Sequence, residues 1–243
     1  IMVARFADAE GVPSRFGRDR VVVIPARGAG IAALFRTEGA LVLEIGDTDE
    51  PDVWDLLNLI TSTGASHVTV LPGDDGLVGI ADEAQTRAVA GGQDVVVIPC
   101  VSPVQAMAAL AVHDPARRAG DDVVSMAEAS AATRRGELVV AREDALTWIG
   151  PCRAGDLLGF ADGDVMRIEH GPVVPDMMVA GACAVVDRML AAGGELVTAL
   201  IGADAPDSLG DALEKHLRTG HPAVEFVAYR GGQRDSVLML GVE

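Results

Sequence analysis

What most constrains the fold of this chain is an alternation of two signals. Short runs of nearly uninterrupted Val, Ile and Leu are each followed by a stretch whose apolar residues recur at helical spacing. "VVVIP" (21–25) precedes a helical stretch at about 28–38, and "ALVLEI" (40–45) precedes a helix with Val53, Leu56, Leu57 and Ile60 on one face. Val68 to Leu71 lead into a helix that places Leu77, Ile80, Ala81, Ala84 and Ala88 together. "DVVVIP" (94–99) leads into a fourth helix from Pro103, a residue well tolerated in a first turn. Strands apolar on both sides must be covered on both sides, so the pattern predicts a mainly parallel sheet with helices on both faces.

The pattern changes after the polar break "HDPARRAGDD". One more helix runs to about Arg135, and short segments then follow in quick succession: "ELVVA" (137–141), "ALTWI" (145–149), "DLLGFA" (156–161) and "DVMRIE" (164–169). Asp162-Gly163 between the last two is a hairpin signal, since Gly accepts the positive φ of a primed turn. The tail reads helix (about 174–191), strand (196–201), helix (206–219), strand (224–229), a Gly-Gly-Gln turn and strand (236–241). The fold class is therefore α/β, in two units: a parallel unit over 19–115 and a mixed-sheet unit with β-hairpins and helices over 116–243. Residues 1–18 are assigned to an N-terminal remnant or linker, because the chain begins at Ile1 and is expected to be a fragment of something longer.

Charge narrows the function classes. A net charge of −17 argues against a nucleic-acid binder and against a polybasic membrane-surface protein, both of which need clustered Lys and Arg. The only lysine, Lys215, sits in "ALEKHLR" without the glycine that must directly precede it, which excludes a P-loop. No apolar run approaches the roughly 20 residues of a bilayer span, and no signal pattern opens the chain, so a cytoplasmic location is expected. Cys100, Cys152 and Cys183 lie far apart and read as buried thiols in a reducing compartment. The acidic run "GDTDEPDVWD" (46–55) lacks the spacing of a calcium loop and reads as helix capping, so no metal is expected.

Three segments stand out as candidate sites, and no catalytic residue is assigned. Gly28-Ala29-Gly30-Ile31-Ala32-Ala33 follows a strand and opens a helix, and Glu44 ends the next strand; these are the parts of a dinucleotide-binding turn, with Gly28, Gly30 and Glu44 as its residues. Against that reading, Pro25-Ala26-Arg27 lengthen the turn, and small residues equally let a helix pack close. The Pro72-Gly73-Asp74-Asp75 turn joins a strand end to a helix start, where open α/β sheets bind ligands, but its carboxylates sit where an anion would go. "YRGGQRDSV" combines Tyr229, Arg230, Gly231, Gly232, Gln233 and Arg234, which reads as an interface element or as a plain hairpin turn.

Taken as a series, "VTVLPGDDGLVGIADEAQ", "VVVIPCVSPVQAMAALAVHDP", "AGDLLGFADGDV" and "YRGGQRDSVLMLGVE" resemble, in order and spacing, the C-terminal half of the dihydroxyacetone-kinase-like (DAK2-domain) proteins typified by the catalytic component of bacterial fatty acid kinase. The resemblance implies a C-terminal region related to the DegV-type fold. It implies a parent protein whose kinase domain holds Mg-ATP and phosphorylates the carboxylate of a fatty acid presented by a DegV-type binding protein. The Asp-Gly-Asp-Thr-Gly kinase loop and the His-x-His segment of the middle domain are absent here. The expectation is a non-catalytic recognition module without a cofactor of its own, whose partners are the DegV-type protein and the parent's kinase and middle domains. Where the family carries paired asparagines this chain has Gly73-Asp74-Asp75, so the turn is expected to cap a helix and shape a protein-facing surface. A nucleotide-binding domain and a free-standing fatty-acid binder are the alternatives.

Overall fold

The computed structural model describes residues 18–46 and 49–243. The proposed N-terminal remnant therefore lies outside the described residues, apart from Arg18. In chain order the first half runs β1 (Arg18–Arg27), α1 (Ala29–Thr37), β2 (Leu41–Ile45), α2 (Val53–Ser62), β3 (Ala65–Val70), α3 (Asp75–Ala90), β4 (Asp94–Val97), α4 (Pro103–Ala111) and α5 (Ala119–Ala132). The second half runs β5 (Arg134–Val140), β6 (Ala145–Thr147), β7 (Gly150–Cys152), β8 (Leu157–Ala161), β9 (Asp164–Glu169), α6 (Pro175–Leu190), β10 (Leu196–Ile201), α7 (Leu209–Gly220), β11 (Glu225–Arg230) and β12 (Leu238–Val242).

Strands β1 to β4 form a parallel four-stranded sheet in the order β2-β1-β3-β4. The second sheet is mixed, in the order β11-β10-β12-β5-β8-β9, and β6 and β7 form a separate two-stranded hairpin. This is the α/β architecture with one parallel and one mixed sheet that the strand and helix pattern predicts. Three local expectations change. Pro25, Ala26 and Arg27 do not lengthen a turn: they stay in β1, paired with Leu43, Glu44 and Ile45. Pro25 is tolerated because the ladder to β3 has already ended at Val23, whose carbonyl accepts the Leu71 N–H, so the missing N–H breaks no sheet bond. Helix α7 starts at Leu209 rather than near 206, after a turn closed by Leu209 N–H to the Pro206 carbonyl. Strand β7 was not anticipated, since three residues containing Pro151 carry no periodicity.

Helix starts follow local chemistry. Asp52 accepts from the N–H groups of Trp54 and Asp55 while Asp55 accepts from Asp52 N–H, a reciprocal cap for α2 within the acidic run. Asp74 accepts from Gly76 N–H at 2.8 Å and caps α3. Between the sheets lies a core built by both: Ile24, Ile31, Phe35, Leu71, Val104 and Met126 from the first half with Leu200 and Met239 from the second. Burial of such side chains contributes roughly 1.5–3 kcal/mol each, so the core holds the two sheets in one arrangement. No helix among the described residues is long and apolar enough to cross a membrane.

Candidate functional site

The order β2-β1-β3-β4 reverses direction between β1 and β3, and in open α/β sheets the crevice beyond the carboxyl ends of strands at such a point is where ligands bind. A cleft of about 310 Å³ opens there. One wall is the ends of β1, β3 and β4, from Pro25 to Arg27, Gly73 to Asp75 and Val101 to Pro103; the other comes from the mixed sheet, through Arg135, Gly136, Glu137, Phe160, Gln233, Asp235 and Met239. The Gly73-Asp74-Asp75 turn thus sits at the mouth of a cleft between the two sheets, with Gly73 N–H donating to the buried Cys100 sulfur at 3.3 Å and Pro72 buried behind it.

The electrostatics of the cleft are set by facing carboxyl groups. Burial, reinforced by Asp235 and Asp74 and opposed by Arg135, pushes the Glu137 carboxyl up to about 7. Gln233 is fully buried in the wall: its Nε2 donates to the Leu200 carbonyl at 2.9 Å, and its Oε1 has no donor. Asp235 likewise keeps one carboxylate oxygen buried without a donor. Burial raises the neighbouring Cys100 thiol to about 11, so it is held as the thiol. Such a site disfavours a carboxylate or phosphate. The sequence does not single out Glu137, Asp235 or Gln233's role in the wall, because Glu137 lies on β5, about a hundred positions from the loop that carries Gln233 and Asp235, and shares no motif with it.

The glycine-rich turn meets protein. Gly28 takes φ +89°, and a Cβ there would stand 2.7 Å from Gln233 N and from the Gly231 carbonyl oxygen. A Cβ on Gly30 would run into the Arg230 carbonyl oxygen. The α1 N-terminus donates through Ile31 N–H to the Gly231 carbonyl at 3.0 Å. These glycines admit the 230–233 loop of the mixed sheet onto the helix end, where a dinucleotide pyrophosphate would need those N–H groups. Glu44 is paired with Arg36 at 2.7 Å.

The 229–234 segment divides by direction. Gly231 and Gln233 are buried as the latch on α1, whereas Tyr229, Arg230 and Arg234 face outward, with Arg230 paired to Asp207 at 2.7 Å. A groove lined by Val140, Arg142, Met178, Asp204, Arg234 and Val237 joins this loop to the base of the excursion that carries the β6–β7 hairpin. On that hairpin Leu146 is 85% and Trp148 75% exposed, with Ile149 beside them. Among the described residues no group of three or more His, Cys, Asp or Glu side chains is arranged to hold a metal ion.

The family model for the C-terminal part of FakA-like fatty acid kinase proteins matches residues 21–243. Protein YloV of Bacillus subtilis is 27% identical over 228 residues, which is 93% of this chain and 39% of that protein. An uncharacterized protein of Staphylococcus haemolyticus is 26% identical over 226 residues with the same coverage, so the chain spans about two fifths of these relatives. Among solved structures, the fold is similar to a DegV family protein from Corynebacterium glutamicum (TM-score 0.62, 14% identity, 93% of this chain and 98% of that one). A DegV family protein from Thermus thermophilus whose description gives fatty acid binding superposes with TM-score 0.61 at 13% identity, covering 93% of this chain and 99% of that one. The dihydroxyacetone kinase from C. freundii in complex with AMP-PNP and Mg2+ gives TM-score 0.67 at 12% identity, covering 92% of this chain and 48% of that one.

Proposed function

The chain belongs to the FakA-like C-terminal family of fatty acid kinase proteins, and on that premise we propose that it is a non-catalytic recognition module, docking a DegV-type fatty-acid-binding protein for ATP-dependent acyl phosphorylation by a kinase domain outside this chain. The observation that carries this reading is the exposed apolar tip of the β6–β7 hairpin. Leu146 and Trp148 keep most of their surface in water, and Trp is the residue type that most often anchors a protein interface. Arg234 lines the groove at the base of the same excursion, and the exposed Tyr229 and Arg230 lie just before it in the chain, polar groups of the kind that rim an apolar interface centre.

The cleft supports the same division of labour. Fatty acid is carried by the partner in this reading, and the facing carboxyl groups of Asp74, Glu137 and Asp235 oppose a fatty-acid carboxylate in the crevice at the strand ends. Mg-ATP belongs to the kinase domain of the parent.

Calorimetric titration of the chain with a fatty-acid-loaded DegV-type protein tests the proposal. Saturable binding, lost in Trp148→Ala and weakened in Arg230→Ala and Arg234→Ala, is the expected outcome. Phosphoryl transfer by the purified chain alone, or co-purification of a stoichiometric fatty acid, would overturn it.

A further inference from the structure

We propose that the cleft between the two sheets binds a small organic cation, an amine or guanidinium on a short apolar stem. This goes beyond the docking reading and stands without it. Acceptors converge on the cleft from separate elements: Asp74 and Asp75 from the cap and first residue of α3, Glu137 from β5, and Gln233 and Asp235 from the loop before β12. Gln233 is 0% exposed, lines the cleft and keeps its Oε1 without a donor, and Asp235 keeps a buried oxygen in the same condition. A buried acceptor left without a donor is costly, and an N–H-bearing ligand is the chemistry that supplies one.

The charges in the cleft agree. The groups facing Glu137 are Asp235, Asp74 and Asp75 as carboxylates, with Arg135 and Arg27 as cations. The Arg27 guanidinium is engaged with the Gly46 carbonyl at 2.8 Å, and Arg135 reaches toward the Val101 carbonyl at 3.5 Å, so both cations are partly committed to backbone. An entering ammonium or guanidinium would offset the facing carboxylates, whereas an entering anion would meet them. Ile31, Leu77, Phe160 and Met239 give the cleft an apolar lining against which a short hydrocarbon stem can lie. A volume of about 310 Å³ is at the lower end for small-molecule sites, which limits the ligand to a compact one.

Agmatine is a suitable probe, because its guanidinium stays charged between pH 6 and pH 8 and any pH effect must come from the protein. With Glu137 titrating near 7, its ionised fraction rises about tenfold across that interval, so calorimetry should show agmatine binding up to about tenfold tighter at pH 8. Glu137→Gln should abolish that pH dependence, Asp235→Asn should weaken binding at both pH values, and decanoate and inorganic phosphate should not compete. Thermal melts of both near-isosteric variants establish that they are folded before binding is read. The proposal is overturned if agmatine fails to bind the folded wild-type chain at millimolar concentration, if its affinity is the same in Glu137→Gln with pH dependence intact, or if decanoate or phosphate displaces it.

Discussion

Replacing Glu137 with Gln removes a carboxyl group that the fold holds far from its ordinary titration range, and the effect on stability can be worked from the structure. Burial and the neighbouring Asp235 and Asp74 raise it from 4.5 to about 7. A group whose folded-state value is raised takes up protons more readily folded than unfolded. Its favourable contribution is complete below pH 4.5, declines as pH rises, and is lost by the time pH passes 7. A difference of about 2.5 units at about 1.4 kcal/mol per unit makes the ionised carboxylate cost at most about 3.5 kcal/mol at pH 8, trimmed by solvent to about 3 kcal/mol or less because the residue is half-buried. Gln keeps the shape and never ionises. Differential scanning calorimetry at pH 5 and pH 8 should therefore find Glu137→Gln close to wild type at pH 5 and more stable at pH 8. For a chain of this size that corresponds to a Tm rise of up to about 6–12 °C. A variant less stable than wild type at pH 8, or with an unchanged pH profile, would refute the assignment of Glu137 to a carboxylate-lined cleft.

Other perturbations probe separate parts of the structure. Gly30→Ala drives a Cβ into the Arg230 carbonyl and must displace the latch on α1, so chemical denaturation should show a loss of about 1–3 kcal/mol or more. Unchanged stability would mean that the 230–233 loop is not seated as described. Trp148→Ala, with the side chain 75% exposed, should change stability by no more than about 0.5 kcal/mol in the same assay while costing about 2 kcal/mol or more in partner affinity. Asp187 accepts from both His216 and His221 at 2.8 and 2.9 Å; burial raises its pKa, but these bonds outweigh it and the net direction is down. Its stabilising contribution is thus present above the ordinary Asp range and lost as pH falls through the depressed value, so Asp187→Asn should flatten the acid limb of the stability profile. Titration with NAD or NADP should give no heat, because the Gly231 carbonyl already takes the Ile31 N–H at the helix end.

How much of this was legible in the sequence depends on how local each feature is. The strands β1 to β4 announce themselves as runs of Val, Ile and Leu, and α2 and α3 as apolar residues at helical spacing, because burial acts residue by residue along one segment. The Pro72–Asp75 turn stands out in the sequence for its place between a strand and a helix, and Gly73, Asp74 and Asp75 line the crevice. The other wall was not legible. Glu137, Gln233 and Asp235 are brought to that turn by the pairing of β12 with β5 and by the packing of two sheets, neither of which leaves a spacing in the chain. The same holds for Gly28 and Gly30. From sequence they carry two readings, and only the arrival of the 230–233 loop from about 200 positions away gives them their contacts. Leu146 and Trp148 read as part of a strand, and their exposure follows from β6 pairing with β7 alone, in neither of the two larger sheets.

The most direct test of the recognition-module account is amide hydrogen exchange of the chain alone and with a saturating, fatty-acid-loaded DegV-type protein. The account predicts new protection over the β6–β7 hairpin and the 229–235 loop, with the edge strands β2 and β4 exchanging as before. Unchanged exchange at the hairpin and loop, or protection confined to the β2 and β4 edges, would contradict it.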